Sequence, residues 1–329
     1  MEDVQKMSDV KISVVIPVYN SEDCLDKLTR RLINVLDNLG KTYEIILVND
    51  GSPDNSWKKI TELSEVYDKI KGINLRRNFG QDNAIMAGLN YLSGESVIIM
   101  DDDLQHDPAD IPSLLSGLGK GDDVCYAHFS SKKQSWFKNL GSWFNDKVAN
   151  VILKKPKEIY LSPYKVIKRE VVDEIIKYDG PYPYIDGLLF RVTQNIAQVT
   201  VEHHERYAGK GNYNLGKSVR VWLRLATNFS VLPLRIATFL GFVSSGIGLI
   251  FALFFIIQHF VDAGDPTGWA SLIVAVLFLG GIQLITIGII GEYVGRLFLH
   301  HSREPQFVVN EVTGKVENRR KNFGCFEGK

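Results

Sequence analysis

The sequence predicts an α/β catalytic domain built on a mostly parallel sheet, followed by interfacial and membrane-spanning helices. Three observations lead there. Short β-branched runs alternate with stretches of helical period over roughly the first hundred residues. The runs end in turns that carry carboxylate or amide side chains. Most of the stretch from Pro233 to Leu299 is apolar, whereas the first two-thirds of the chain is mixed and charged.

The elements follow in order. Ile12 to Asn20 is a β-branched run ending in Pro17 and a turn residue, and it reads as a first strand. A helix is expected from about Glu22 to Leu39, with Leu25, Leu28, Leu32, Val35 and Leu36 at helical spacing and Gly40 as its stop. Tyr43 to Val48 is the second strand, and Asn49 to Asp54 is a turn rich in side-chain acceptors. A helix over about Asn55 to Lys69 leads to a third strand near Ile73. Arg76 to Gln81 makes a basic loop before a small-residue helix, Asp82 to Leu92. Val97 to Met100 is a strand apolar throughout, as suits the middle of a sheet covered on both faces. Right-handed crossovers place these loops on one edge of the sheet.

That last strand runs straight into Asp101, Asp102 and Asp103. Adjacent carboxylates repel one another unless they share something positive. A hard divalent cation with oxygen ligands, itself bound to phosphate, meets that need. Asp101 and Asp103, two apart, point to the same side of an extended chain. The plainer alternative is an acidic turn capped by Asp107 before Pro108. No G-x-G-x-x-G follows the first strand and no G-x-x-x-x-G-K-[ST] occurs, so a phosphate cradle of glycine amides is missing. Carboxylates at the crevice with a metal to carry a diphosphate favour a metal-bridged nucleotide-sugar over NAD or ATP.

Composition narrows the class. The 329 residues carry 38 Lys+Arg against 38 Asp+Glu, a balance that gives no support to a nucleic-acid partner. Cys24, Cys125 and Cys325 are odd in number and far apart, so they form neither a disulfide framework nor a zinc spacing. A reducing, cytosol-facing setting is expected. Met1 to Lys11 is polar and charged, without the apolar core of a signal peptide.

Four motifs stand in order: V-V-I-P-V-Y-N, I-L-V-N-D-G-S, R-N-F-G-Q-D-N-A-I-M-A-G and D-D-D-L-Q-H-D-P. Together they resemble the inverting family 2 glycosyltransferases of GT-A fold. Within them the chain looks most like the polyprenyl-phosphate glycosyltransferases, the branch of dolichyl-phosphate mannose synthases and of undecaprenyl-phosphate glucosyl- and aminoarabinose transferases. The resemblance runs from about Lys11 to about Val309.

Carried over by position, it implies a nucleotide-sugar site of Pro17, Tyr19, Glu22, Asp50, Gln81, Asp101 and Asp102, with Asp50 accepting from the base. Ser21 intervenes before Glu22, which departs from the family spacing. Asp101, Asp103 and Gln105 are the expected ligands of Mg²⁺ or Mn²⁺, and Asp103 also counts as catalytic. The segment Tyr160 to Arg169 corresponds to a family stretch reading G-D-F-R-L-x-x-R. Here Pro163 replaces the Asp proposed as acceptor-side base, and Lys165 replaces Arg as an acceptor-phosphate ligand. Asp186 is then the nearest alternative base, unless none is needed: the second pKa of a lipid phosphate lies near ~6, so it is already largely ionised. Arg206 and Lys210, in a loop matching R-x-x-G-x-S-x-Y except at Gly211, are expected to clamp phosphate oxygens. Lys132 and Lys133, in a basic and aromatic segment with Trp136 and Trp143, are further acceptor-phosphate candidates at the headgroup level.

The expected organisation is a polar tail over 1–10, a GT-A domain over 11–215, an interfacial amphipathic helix over 216–233, a two-helix transmembrane region over 234–299 and a C-terminal tail over 300–329. The two spans, about 236–261 and 267–291, lack formal charge and exceed the ~20 residues needed to cross a bilayer. Arg220, Arg224, Arg235, Arg296 and Arg303 flank them, which predicts a multi-pass protein of the plasma membrane with its catalytic domain and both termini in the cytoplasm. The expected partners are a nucleotide-sugar, by expectation a UDP-sugar, a polyprenyl phosphate, membrane lipids and further copies of the chain, since the resembling branch forms homo-oligomers and a tetramer is expected. Two other functions compete. A processive polysaccharide synthase usually carries Q-x-x-R-W, and none of the five tryptophans follows an arginine. An inactive nucleotide-binding scaffold that recruits a flippase is opposed by the intact Asp101, Asp103 and Gln105.

Overall fold

Ile12–Val18 (β1) and Tyr43–Asn49 (β2) are buried at every position, so their apolar side chains serve both faces of one sheet. The structure, a computed structural model, describes residues 10–119, 121–129, 159–201, 232–261, 268–301 and 305–314. Between and after these strands come Glu22–Asn38 (α1), Ser56–Val66 (α2), Ile70–Leu75 (β3), Gln81–Leu89 (α3) and Ser96–Ile99 (β4). Each expected element of this half is present, with ends shifted by a few residues. Ile111–Gly117 (α4) and Val124–Phe129 (β5) follow. After residue 158 come Lys165–Lys168 (β6), Arg169–Ile175 (α5), Ile185–Val192 (α6) and Ile196–Val201 (β7).

The strands form one sheet among the described residues, in the order β7-β5-β6-β4-β1-β2-β3 with a final strand, Val309–Thr313 (β8), at the edge. β1 pairs parallel with both β2 and β4, and β2 pairs parallel with β3. The chain therefore winds one way from β1 through β3 and returns to the other side of β1 as β4. That reversal opens a crevice beyond the carboxyl ends of β1 and β4, where open α/β sheets bind ligands. β6 lies antiparallel between β4 and β5. One apolar layer packs α1 and α4 against the sheet through Leu25, Leu28, Leu32, Ile111 and Leu114. The opposite layer packs α3, α5 and α6 through Met86, Leu89, Val172 and Leu189.

β8 departs from the expected C-terminal tail. It runs antiparallel to β3, and its flank is tied by Trp57 Nε1, which donates to Glu311 at 3.0 Å, and by Ser64 and Thr313 at 2.7 Å. Just before it, buried Gln306 donates from Nε2 to the carbonyls of Tyr178 and Gly180, both at 2.8 Å.

The second compact unit is a helix pair, Leu232–Val261 (α7, 30 residues) and Trp269–His301 (α8, 33 residues). One window, Phe278–Gly295, is long and apolar enough to cross a membrane among the described residues, and Ala237–Phe251 is a shorter apolar stretch. Phe239, Phe242, Ile250, Phe254, Leu284 and Leu297 stand exposed along the pair. The expected interfacial helix falls almost entirely outside the described residues.

Candidate functional site

Two cavities open at the carboxyl edge of the sheet. The first, about 390 Å³, is lined by Pro17 to Ser21 after β1, Asp50 after β2, Asn78, Gly80 and Gln81 before and at the start of α3, and Asp101 to Asp103 after β4. Local backbone geometry explains how these turns converge. Asn20 adopts a left-handed φ of 57°, the conformation Asn tolerates best after glycine, and this swings Tyr19 outward at 51% exposure. Gly51, at φ 63°, passes so close to the next loop that an added Cβ would lie 2.6 Å from the Arg77 carbonyl carbon and from the Asn78 nitrogen. Leu104 is the outlier: a buried leucine at φ 62° directly after the three carboxylates. Strain of this kind persists only where its surroundings enforce it, and it clusters at functional sites.

Asp50 is buried, and both its oxygens are engaged. Phe79 N–H donates to Oδ1 at 2.7 Å and Gly80 N–H to Oδ2 at 2.9 Å. Burial raises its carboxyl above the usual range, with these two bonds opposing. It holds the loop that delivers Gln81 while still lining the cleft. Gln81 Nε2 donates to Asp101 Oδ1 at 2.7 Å. Asp102 accepts from the Tyr19 N–H at 3.1 Å, and burial raises its carboxyl too. Asp103 accepts from the Gln105 N–H at 3.1 Å.

Glu22, expected in the nucleotide-sugar site, is not among the residues lining the cleft. Ser21 occupies the cleft in its place, and the added residue turns Glu22 into the first turn of α1. There its carboxylate accepts from the Asn55 backbone and side chain at 3.2 Å. Gln105 reaches Asp103 through its backbone N–H, and its side chain is not among the cleft's lining. Sequence reasoning missed His106. Its ring is buried between Phe129 and Tyr164, with centroids 5.7 and 5.1 Å away, and its Nδ1 accepts the Asp101 N–H at 3.1 Å. It pins the turn that presents the carboxylates, and its place inside D-D-D-L-Q-H was the available signal.

Among the described residues no cluster of three or more His, Cys, Asp or Glu groups stands ready-made for a metal. The donor set fits a different arrangement. Hard carboxylate oxygens from Asp101 and Asp103 line an open cleft, and Mg²⁺-like ions are commonly held by one or two carboxylates while substrate phosphates and water complete the shell.

The second cavity, about 290 Å³, shares Gln81 with the first and is lined by Asp82, Ile85, Ile99, Leu161 to Pro163, Lys165 and Tyr184 to Asp186. Pro163 and Asp186 thus meet in one cavity. Lys165 is buried and ion-paired to Asp186 by a very short contact, with its ammonium 5.0 Å from the Tyr126 ring centroid. Asp186 also accepts the Tyr126 hydroxyl at 2.8 Å. The two residues expected on the acceptor side, Lys165 and Asp186, are thus paired with each other. Asp82, in the first turn of α3, accepts a long 3.5 Å bond from the Ile185 N–H. Burial, reinforced by the Asp186 charge, raises its carboxyl to about 6. Arg206, Lys210, Lys132 and Lys133 lie outside the described residues.

An open α/β sheet whose switch-point crevice gathers carboxylates from successive strand ends is a GT-A-like architecture. The comparisons agree. The Glycosyl transferase family 2 description matches residues 13–176, and a GtrB C-terminal hairpin matches residues 232–297. An uncharacterized glycosyltransferase of Synechocystis sp. is 36% identical over 93% of this chain and 96% of its own length. An undecaprenyl-phosphate 4-deoxy-4-formamido-L-arabinose transferase of Aeromonas hydrophila is 32% identical over 93% of this chain and 95% of its own. Glucosyl-3-phosphoglycerate synthase of Mycobacterium tuberculosis, solved with Mn²⁺, UDP and phosphoglyceric acid, shares the fold at a TM-score of 0.51 and 18% identity, covering 66% of this chain and 76% of that one. The chain belongs to glycosyl transferase family 2, and its residues 232–297 match the GtrB C-terminal hairpin.

Proposed function

We propose that this glycosyltransferase moves one sugar from a nucleotide-sugar, a UDP-sugar by preference, onto a polyprenyl phosphate at the membrane surface, with inversion at the anomeric carbon. The observation that carries the proposal is the convergence of Asp101, Asp102 and Asp103 with Pro17, Tyr19 and Gln81 in one cleft at the switch point. Full-length similarity to transferases named for undecaprenyl phosphate supports the acceptor class. The neighbour solved with UDP and Mn²⁺ motivates the donor and metal, which we carry over as part of the proposal.

In this scheme Asp101 and Asp103 would hold a divalent ion, which would supply charge neutralisation for the leaving diphosphate. Gln81 fixes Asp101, while His106 and the Asp102–Tyr19 bond keep the turn in place. The lipid phosphate supplies its own anionic nucleophile. It attacks from the face opposite the diphosphate, so positioning rather than a protein base carries much of the rate. The second cavity, with two carboxylates and a neutralised lysine, suits a phosphate badly. Arg206, Lys210, Lys132 and Lys133 are the better cations for the acceptor headgroup and the departing diphosphate.

Membrane attachment is part of the proposal. Helices of 30 and 33 residues are long enough to span, and their exposed phenylalanines and leucines suit lipid. β8 returns after α8 to the same sheet that precedes α7, so both ends of the hairpin are tethered to one domain. That placement supports a reading with an even number of crossings, with the flanking arginines favouring the cytoplasmic side. Replacement of Asp103 by Asn tests the site: organic-phase product from a labelled donor is expected to fall at least ~100-fold, with the protein still folded. Full activity in that variant would remove Asp103 from the metal and transfer chemistry.

A further inference from the structure

The second cavity adjoins the carboxylate-lined cleft through Gln81. We propose that it receives the transferred sugar ring and that its negative charge restricts the enzyme to donors whose sugar is neutral or cationic, with Asp82 as the residue that rejects acidic sugars. The inference rests on the nucleotide-sugar reading above and adds the substrate class.

Position comes first. Gln81 lines both cavities and holds Asp101, so a diphosphate at Asp101 and Asp103 has the second cavity as its immediate neighbour. A sugar bonded to that diphosphate has this space open beside it, and about 290 Å³ accommodates a pyranose ring. The apolar walls from Ile85, Ile99 and Leu161 suit the C–H face of a sugar, and the polar groups suit its hydroxyls.

Charge comes second. Three ionisable side chains other than tyrosine line the cavity: Asp82, Lys165 and Asp186. Lys165 and Asp186 cancel each other, and the Tyr126 hydroxyl takes up a further share of Asp186. With two carboxylates against one lysine the cavity keeps a net negative charge, and Asp82, which the Lys165 charge offsets only in part, carries it. A carboxylate there accepts hydroxyl or ammonium hydrogens, but it repels a second carboxylate such as the C6 group of a uronic acid. An ionised group is thus kept where burial and a like charge both oppose it, a pattern that belongs to working sites more often than to scaffolding. Asp82 can be exchanged for Asn at constant shape, because the Asn carbonyl oxygen can still accept the Ile185 N–H.

The test measures equilibrium binding of UDP, UDP-glucose and UDP-glucuronate to the full-length protein with Mn²⁺, for the wild type and for Asp82→Asn. The wild type is expected to bind UDP-glucose at least ~10-fold more tightly than UDP-glucuronate, and Asp82→Asn to shrink that ratio to within ~3-fold. UDP affinity is expected to be equal in both proteins, which reports an intact donor cleft. Equal binding of the two sugars by the wild type, or an unchanged ratio in Asp82→Asn, overturns the charge filter. Failure of UDP itself to bind the wild type sinks the donor reading instead, so the two failures are told apart. A second variant, Asp82→Glu, retains the charge and is expected to retain the discrimination.

Discussion

Removing the Asp50 carboxylate probes how the cleft is assembled. Its two oxygens hold the Phe79 and Gly80 amides at 2.7 and 2.9 Å, and the residue is 3% exposed. Bonds of this charge-assisted type contribute about 1.5–3 kcal/mol each, against which burial of the charge costs part of the gain. Asp50→Ala leaves both amides without their acceptor, though the two residues are only partly buried and water recovers some of the loss. A net destabilisation of about 3 kcal/mol is expected, equivalent to a melting shift of about 6–12 °C. Asp50→Asn keeps one acceptor and removes the desolvation of the charge, so about 1 kcal/mol is expected. Because Gly80 immediately precedes Gln81, the same change loosens the contact from Gln81 to Asp101, and UDP affinity in Mn²⁺ is expected to weaken roughly tenfold in the Ala variant. Thermal unfolding in detergent, followed by nucleotide titration of the folded protein, measures both. An Ala variant that melts with the wild type and binds UDP equally well would refute the clamp.

Other outcomes follow from the same geometry. The Asp82 carboxyl rises from 3.8 in its reference state to about 6 when folded, so its ionisation opposes folding. Below the lower value both states are protonated and the residue carries no penalty; the cost develops as pH climbs through the folded value. Asp82→Asn is therefore expected to melt above the wild type at pH 7.5 and level with it near pH 4; a lower melting point at pH 7.5 contradicts the assignment. Gly51→Ala forces a left-handed alanine against the Arg77–Asn78 backbone and is expected to cost about 2 kcal/mol or more, seen as a lower melting point and weaker UDP binding. Gln306→Ala removes both donors that hold the 178–180 carbonyls and is expected to cost about 1–3 kcal/mol. Limited proteolysis is then expected to cut first between Tyr178 and Tyr184, and unchanged resistance there argues against the tie.

Much of the first half of the fold was legible because β1, β2 and β4 are concentrated apolar runs and α1 carries a clear helical period. The later strands are harder. β6 is four residues long and enters the sheet antiparallel between β4 and β5, an order that no local pattern encodes. β8 has the mixed composition V-N-E-V-T and follows the apolar hairpin, so nothing in it announces a return to the sheet. At the site, the three aspartates were legible as a motif. Glu22 was misplaced because a single inserted serine changes which side chain faces the cleft. Asp82 stood in the sequence only as the start of a helix, and the approach of Asp186 and Lys165 to it is tertiary. His106 and Gln306 act largely through residues distant in sequence: His106 stacks on Phe129 and Tyr164, and Gln306 holds the carbonyls of Tyr178 and Gly180.

The most direct measurement of the central claim is a transfer assay with purified full-length protein, labelled UDP-sugars and Mg²⁺ or Mn²⁺, offering undecaprenyl phosphate and 3-phosphoglycerate in parallel. Label is expected to enter the organic phase from one neutral donor, only with the lipid acceptor, and to disappear with EDTA. Label on the soluble acceptor instead, or none from any donor despite metal-dependent UDP binding, would contradict transfer to a lipid phosphate.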